Sequence, residues 1–389
     1  MADVVEPIDL TAVYTLIGGL VVTARADDTV QIGSEPAHSV LLHHPPADSV
    51  AILQSLDGTN TVADILDHHH ADTRVWVDVL TRLRGAQLLI PAADWSFPGV
   101  GPEPFLVPER DSLVHRHGVA TAGRVLQARQ DAVVVVRGTG RLATAVAVAL
   151  GLAGLGHVHL QPDRPLRPID LPTSVDTRRV DPRKGGSDPD DDAARPAPQR
   201  AGSSGRLTNA WPGPSAGSSV RADAALLATH LRRSVPGIRV HAPAAHHRVS
   251  LVVLVGDGPP APSLAAELTD RRVPHLAVRA GLTGAVVGPL VLPGRSSCLV
   301  CALRYRTEAD AGRPALEESM RHDLVVPPTA LVCAAAALTV AETLDHIDGI
   351  IVPGTVDGTA EWQLGEPAPR RRSWTVHPDC GCGAAAAAR

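Results

Sequence analysis

An α/β fold in two parts is the reading of this 389-residue chain: a small winged-helix-like module, then a larger Rossmann-like sheet domain. Three observations predict it. Between Thr29 and Pro91, short β-branched runs alternate with short helical patterns. At Ala132 a run of valines enters a glycine-rich turn and then an alanine-rich helix. In the last third, Cys298 with Cys301 and Cys380 with Cys382 form two close pairs in a chain that has five cysteines.

Taken in order, "TVQIG" and "SVLLH" read as strands because apolar and β-branched residues are bounded by turn formers. Pro46 then opens "ADSVAILQSL", where Val50, Leu53 and Leu56 recur at helical spacing. "DGTN" reads as a turn, and Thr61 with Asp64 as a capping box that starts "VADILDHHH". A third helix runs from Thr73 to Arg84, with Trp76, Val79, Leu80 and Leu83 on one face, and Gly85 ends it before the strand "QLLIP". Two strands, three short helices and a closing strand make the winged-helix pattern, and the module is bounded at residues 1–95.

Such modules bind DNA or capture peptides. A recognition helix needs several basic or amide groups facing the groove, whereas this third helix offers Arg74, Arg82 and Arg84 beside Asp78. With a net charge of −5 and 2% aromatic residues, no nucleic-acid partner is expected. Peptide capture by strand addition is the better fit. Val40, Leu41 and Leu42 then supply backbone hydrogen bonds, the third helix an apolar wall, and Arg74, Asp78 and Arg82 a charged rim. On "VAILQSLDGTNTVADIL" and "VLTRLRGAQLLI" the module resembles the RiPP recognition element, the PqqD-like domain that binds leader peptides in peptide-modifying pathways.

The second part spans residues 96–389. "AVVVV" is a buried-strand run, and Gly138, Gly140 and Ala143 fit G-x-G-x-x-A, in which the glycines allow a tight turn and the small third residue a close helix–strand approach. "HVHLQPD" is the next strand and ends at Asp163, in the position of a ribose-binding acid. "SLVVLVGDG" is a further strand with Asp257 at its carboxyl end, which by position reads as a plain turn residue. A loose insert over residues 181–219 is rich in Pro, Gly, Ser and Asp and too poor in apolar residues to fold alone.

The cysteine pairs suit a tetrahedral metal site, with close pairs pre-placing two ligands each, so structural zinc is expected at Cys298, Cys301, Cys380 and Cys382; disulfides or free thiols are the alternative. Cys333 reads as a small buried residue on a helix. The N-terminal "MADVVEPIDL" is acidic and lacks a signal-peptide pattern, and the apolar stretch Leu142–Gly156 is shorter than the roughly 20 residues that span a bilayer. A cytoplasmic protein with no membrane partner is expected.

"AVVGPLVLPGRSSCLVCALRYRTEADAGRP" together with "RRRSWTVHPDCGC" is similar to the ThiF-like proteins of azole- and azoline-forming RiPP clusters, the thiazole/oxazole-modified microcins. The resemblance covers about Thr29 to Gly383 apart from the insert. It implies a ThiF/MoeB-type domain with a four-cysteine zinc site, a precursor leader peptide as ligand, and a YcaO cyclodehydratase as the partner that carries out the ATP-dependent chemistry of a bacteriocin-type product. A homodimer follows by analogy only. Active relatives use a lysine at the ATP phosphates and an aspartate for magnesium; the resemblance makes Asp257 the candidate for that aspartate, but the one lysine here, Lys184, falls in the insert. That leaves ATP binding in doubt and a non-catalytic role favoured over ThiF-type adenylation.

Overall fold

A computed structural model describes residues 7–18, 20–34, 39–95, 104–170, 218–244, 246–322 and 325–384. The chain forms two compact units, Met1–Gln127 and Ala128–Arg389. The division thus falls later than the expected boundary at residue 95. The physical reason is burial: Leu113, Val114, Ala122, Val125 and Leu126, beyond that boundary, share an apolar cluster with Ile17 and Ile90 of the first unit.

In the first unit β1 (Val13–Leu16), β2 (Val22–Arg25), β3 (Thr29–Ile32) and β4 (Val40–His43) precede α1 (Ser49–Gln54). Then come β5 (Asp57–Thr61), α2 (Val62–His68), α3 (Thr73–Gly85), β6 (Leu89–Pro91), α4 (Val107–His117) and the start of α5 (Val119–Asp131). The strands make two three-stranded sheets, β5-β1-β6 and β2-β3-β4. Neither β1 nor β2 belonged to the expected pattern, and "DGTN" is strand rather than turn. Its turn chemistry is real, since Asp57 Oδ1 accepts from the Thr59 amide at 3.0 Å and Gly58 has φ +86°. Antiparallel pairing of Val13 with Thr61 and Thr15 with Asp57, with a register shift between them, absorbs the bend as a bulge. The capping box holds: Thr61 Oγ1 accepts from the Asp64 amide at 3.1 Å. Gly85 stays helical, and Gln87 takes the left-handed conformation beyond it. Trp76, Val79, Leu80 and Leu83 are buried with Leu42, Leu53 and Leu66 in one core.

The second unit contains β7 (Val133–Arg137), α6 (Arg141–Leu152), β8 (His157–Gln161), α7 (Ser218–Ser234) and β9 (Leu251–Gly256). It continues with α8 (Pro262–Asp270), β10 (His275–Ala280), β11 (Gly284–Val291), α9 (Leu299–Ala309), α10 (Arg313–His322), α11 (Thr329–Asp348), β12 (Gly358–Gln363) and β13 (Arg370–Ser373). They build a seven-stranded sheet, β13-β12-β11-β10-β9-β7-β8, parallel from β10 to β8 and antiparallel from β11 outward. The valines of β7 are buried on both faces, as a helix-covered parallel strand requires. Residues 171–217, which hold Lys184 and most of the expected insert, lie outside the described residues; Ser218 and Ser219 open α7.

α11 is long and apolar enough by length and composition to cross a membrane. Here Leu331, Val332, Ala335, Ala336, Thr339 and Thr343 are its buried face. Cys333 corrects its reading, because it is exposed. Leu331 and Ala335 define the inward stripe, and Cys333 falls off it by helical phase.

Candidate functional site

Parallel strands β7 and β9 are neighbours from which the chain departs in opposite directions, β7 to β8 on one side and β9 to β10 on the other. In open α/β sheets a ligand crevice opens at the carboxyl ends of such a strand pair. A cleft of about 320 Å³ lies there, lined by Arg137, Thr139, Asp163, Arg164, Asp257 and Arg321 among others. A second hollow beside it is lined by Gly140, Arg141, Asp170 and Ala280.

The glycines have local reasons. A Cβ on Gly138 would stand 2.1 Å from the Val255 carbonyl oxygen, so the turn after β7 passes β9 at a distance only glycine permits, with φ +148°. Gly140 is the N-cap of α6 at φ +117°, and Ala143 is buried on α6. Thr139 ties the loop together: its hydroxyl donates to Asp163 Oδ1 at 2.7 Å and accepts from the amides of Asp163 and Arg164 at 3.1 and 3.2 Å. The structure thus brings Asp163 and Asp257 together on the cleft lining with Gly140 on the hollow beside it, while Gly138 shapes the turn against Val255 and Ala143 is buried in α6 and lines neither.

Asp170, which sequence reasoning missed, organises the arginines there. Its carboxylate accepts from Arg164 at 2.6 and 3.1 Å and from Arg167 at 3.0 Å twice. Burial pushes the Asp170 carboxyl up, but the bonds from the two arginines outweigh it and hold it well below the usual range. Its Oδ1 lies 3.5 Å from where a Gly140 Cβ would stand, so a resident carboxylate sits at the amino end of α6, where anions are favoured. Asp257 moves the other way: burial raises it despite nearby Arg164 and Arg167. Arg137 and Arg321 bring further positive charge, and lysine counting could not find them. Their signal was position, the last residue of the valine strand and the end of an Arg-rich helix.

The second centre is the cysteine cluster. Cys298 Sγ lies 3.7 Å from Cys301 Sγ and 3.6 Å from Cys380 Sγ, and Cys301 lies 3.8 Å from Cys382. All four sulfurs fall within 4.8 Å of one another and could hold a metal ion. Four thiolates about 2.3 Å from a tetrahedral zinc ion stand about 3.8 Å apart, so the spacing fits that shell. The bond from Cys298 holds the Cys301 thiol well below its usual range, and burial pushes Cys380 up.

His377 is the supporting residue that sequence reasoning passed over. It is 2% exposed, and its ring accepts from the Asp379 amide at 3.1 Å, which leaves Nε2–H to donate to Glu308 at 2.8 Å. Its carbonyl accepts from the Cys380 amide at 3.0 Å. The histidine therefore pins the "HPDCGC" turn to α9, so that second pair meets the first.

In the first unit β4 is an edge strand. Leu42 points into the core, Leu41 is 43% exposed and Val40 is half-buried. The expected apolar wall on α3 does not exist as such, because Trp76, Val79, Leu80 and Leu83 are consumed by the core. α3 presents instead Arg74, Val75, Asp78 and Arg82, with Arg82 3.9 Å from Asp78.

No family model and no curated protein matches the chain. Solved structures do. The chain shares its fold with E. coli MccB. The similarity to MccB crystallised with AMPCPP and MccA has TM-score 0.57 at 14% identity over 95% of this chain and 99% of that one. With the microcin C7 biosynthetic enzyme MccB in complex with N-formylated MccA it is 0.53 at 14% identity, with the same coverage. PaaA gives 0.57 at 14% identity over 92% and 98%. At such identity the likeness speaks for the fold, two units and sheet alike.

Proposed function

We propose that this chain captures the leader of a ribosomally made precursor peptide on its first unit and presents the peptide to a YcaO cyclodehydratase for thiazoline or oxazoline formation, without carrying out that chemistry itself. The observation that carries the reading is the edge strand β4: among the described residues no strand pairs with its outer side. An extended peptide can add there through main-chain hydrogen bonds. The order of strands and helices around it is compatible with a winged-helix recognition element. Full-length similarity to MccB, which has been crystallised with the peptide MccA, supports a peptide ligand. Zinc is the metal we assign to the four cysteines, in a structural role, since all four positions of a tetrahedron are filled by protein. A homodimer and a cytoplasmic location belong to the same reading, by fold analogy and by reduced cysteines respectively.

The test is reconstitution: precursor, YcaO protein, ATP and this chain. Azoline formation should require the chain, should survive Lys184→Ala, and should fall at least about tenfold on Leu41→Glu, which places a charge on an interface built for strand addition. Unchanged heterocyclisation without this chain would sink the proposal.

A second reading, ATP-dependent adenylation, is favoured by the crevice itself. Arg137 and Arg321 line it beside Asp257, so the missing lysine alone does not remove nucleotide binding, and MccB has been crystallised with ATP. Against it stands Asp170, which engages Arg164 and Arg167 at the amino end of α6. Pyrophosphate exchange by the chain alone, lost on Asp257→Asn, would establish this reading in place of the first.

A further inference from the structure

A second groove of this unit lies away from the crevice, at the end of the sheet where the parallel strands begin. Ala132, Ser250 and Pro274, which line its 460 Å³, immediately precede β7, β9 and β10. Its lining carries Arg248, Arg272 and Arg295, from three separate connections: ahead of β9, after α8, and between β11 and α9. All three are exposed, and among the described residues none has an ion pair or a side-chain hydrogen bond. Asp131 is the one carboxylate on the lining, and it has a partner of its own.

What sets the groove apart is that three such arginines share one lining. The chain holds 41 acidic against 36 basic residues. Several arginines elsewhere in the unit have carboxylate partners, Arg129 with Asp348, Arg164 and Arg167 with Asp170, Arg306 and Arg313 with Glu317. Arg272 adds a second, independent oddity. It has φ +56° just past the end of α8, a left-handed position where glycine or asparagine is the usual residue. A long cationic side chain at such a place adds backbone strain without any contact within the chain to offset it.

We propose that this groove docks an acidic peptide segment of a partner protein. Beside the arginines the lining also carries Leu292, Pro293 and Ile347. An extended segment can rest apolar side chains there while its carboxylates meet the rim. Three exposed guanidinium groups from separate segments suit several carboxylates spaced along a chain; a lone phosphate is held better by buried, converging donors. The inference does not depend on the leader-binding reading, which concerns β4 in the other unit.

The experiment is fluorescence anisotropy on the full-length, metal-loaded protein with a fluorescein-labelled oligoglutamate peptide, repeated across salt concentrations. Three variants are compared: Arg248→Ala/Arg272→Ala/Arg295→Ala, Arg272→Gly, and Arg370→Ala/Arg371→Ala/Arg372→Ala as a cationic control elsewhere. The first should weaken binding on the order of tenfold and flatten its salt dependence. Arg272→Gly should weaken binding while leaving the melting temperature unchanged or raised, because glycine suits the left-handed backbone. The control should bind as the parent does. Equal binding by the triple groove variant, no binding by the parent, loss only in the control, or displacement by inorganic tripolyphosphate as effective as by unlabelled peptide would each overturn the assignment.

Discussion

At the scale of single residues, two sites make sharp predictions. Cys298→Ser and Cys380→Ser each remove one thiolate from a four-sulfur shell, so each variant should lose its metal, close to one equivalent per chain by atomic absorption, and melt at lower temperature. Retention of a full equivalent in both would refute the four-cysteine site. His275 is the second. It is 0% exposed, its Nδ1 lies 2.9 Å from the Val273 carbonyl oxygen and so carries the proton, and its Nε2 finds no partner among the described residues. Burial lowers its pKa to about 4. An unfolded histidine titrates near 6.5, so between these values the unfolded chain binds a proton that the folded one refuses. Stability from this residue is therefore intact above about pH 6.5 and lost as pH falls towards 4, by up to about 3 kcal/mol. His157 is lowered to about 4 by the same cause. Chemical denaturation at a series of pH values should show His275→Leu with a shallower decline than the parent; an identical slope would mean His275 is not held neutral.

At the scale of elements, two junctions hold the sheet unit together, one at each end of the parallel strands. The first is the turn between β7 and α6, where the Val255 carbonyl excludes a Cβ from Gly138. Gly138→Ala must move the turn or the strand, and should cost about 3 kcal/mol or more, in the range of overpacking combined with backbone strain. Circular dichroism melts measure the loss, and an unperturbed melting temperature would contradict the close approach. The second junction is the bidentate pair of Arg129 with Asp348, at 2.8 and 2.7 Å, with Arg129 also donating to the Ala153 carbonyl at 2.9 Å. It links the ends of α5 and α11 to the turn after α6. Arg129 is 3% exposed, so Asp348→Ala takes the bidentate carboxylate away from a buried guanidinium and should destabilise by about 3 kcal/mol. Replacing both residues by apolar ones should recover much of that loss, a result that separates the cost of removing one partner from the worth of the pair.

At the scale of the whole molecule, the chain comprises two units with separate cores, one around Trp76, Leu80 and Leu83, the other around the valines of β7 and β9. Differential scanning calorimetry should therefore resolve two transitions. A strong chelator should lower only one, that of the unit holding the cysteines, while the other stays in place. A single transition that shifts as a whole would show that the two cores unfold together.

The sequence by itself determined what depends on neighbours along the chain. Thr61 and Asp64 cap their helix across three residues, the valines before Gly138 can only be a strand buried on both faces, and C-x-x-C with C-x-C announces thiolate pairs. The parallel strands of the sheet, the glycines of the turn into α6 and the four clustered cysteines were legible for that reason. What depends on distant partners was not. "DGTN" has the local chemistry of a turn, yet becomes a strand because β1 pairs with it. Cys333 looks buried in an alanine-rich run, yet helical phase turns it outward. The apolar face of α3 suits a peptide, but the core consumes it. Asp170 is one aspartate among many until the fold sets Arg164, Arg167 and the end of α6 around it. Arg248, Arg272 and Arg295 share a groove only once three strands begin side by side. Local hydrogen bonds and periodicity are encoded within a few residues, whereas burial and charge pairing are decided by which segments the packed sheet brings together.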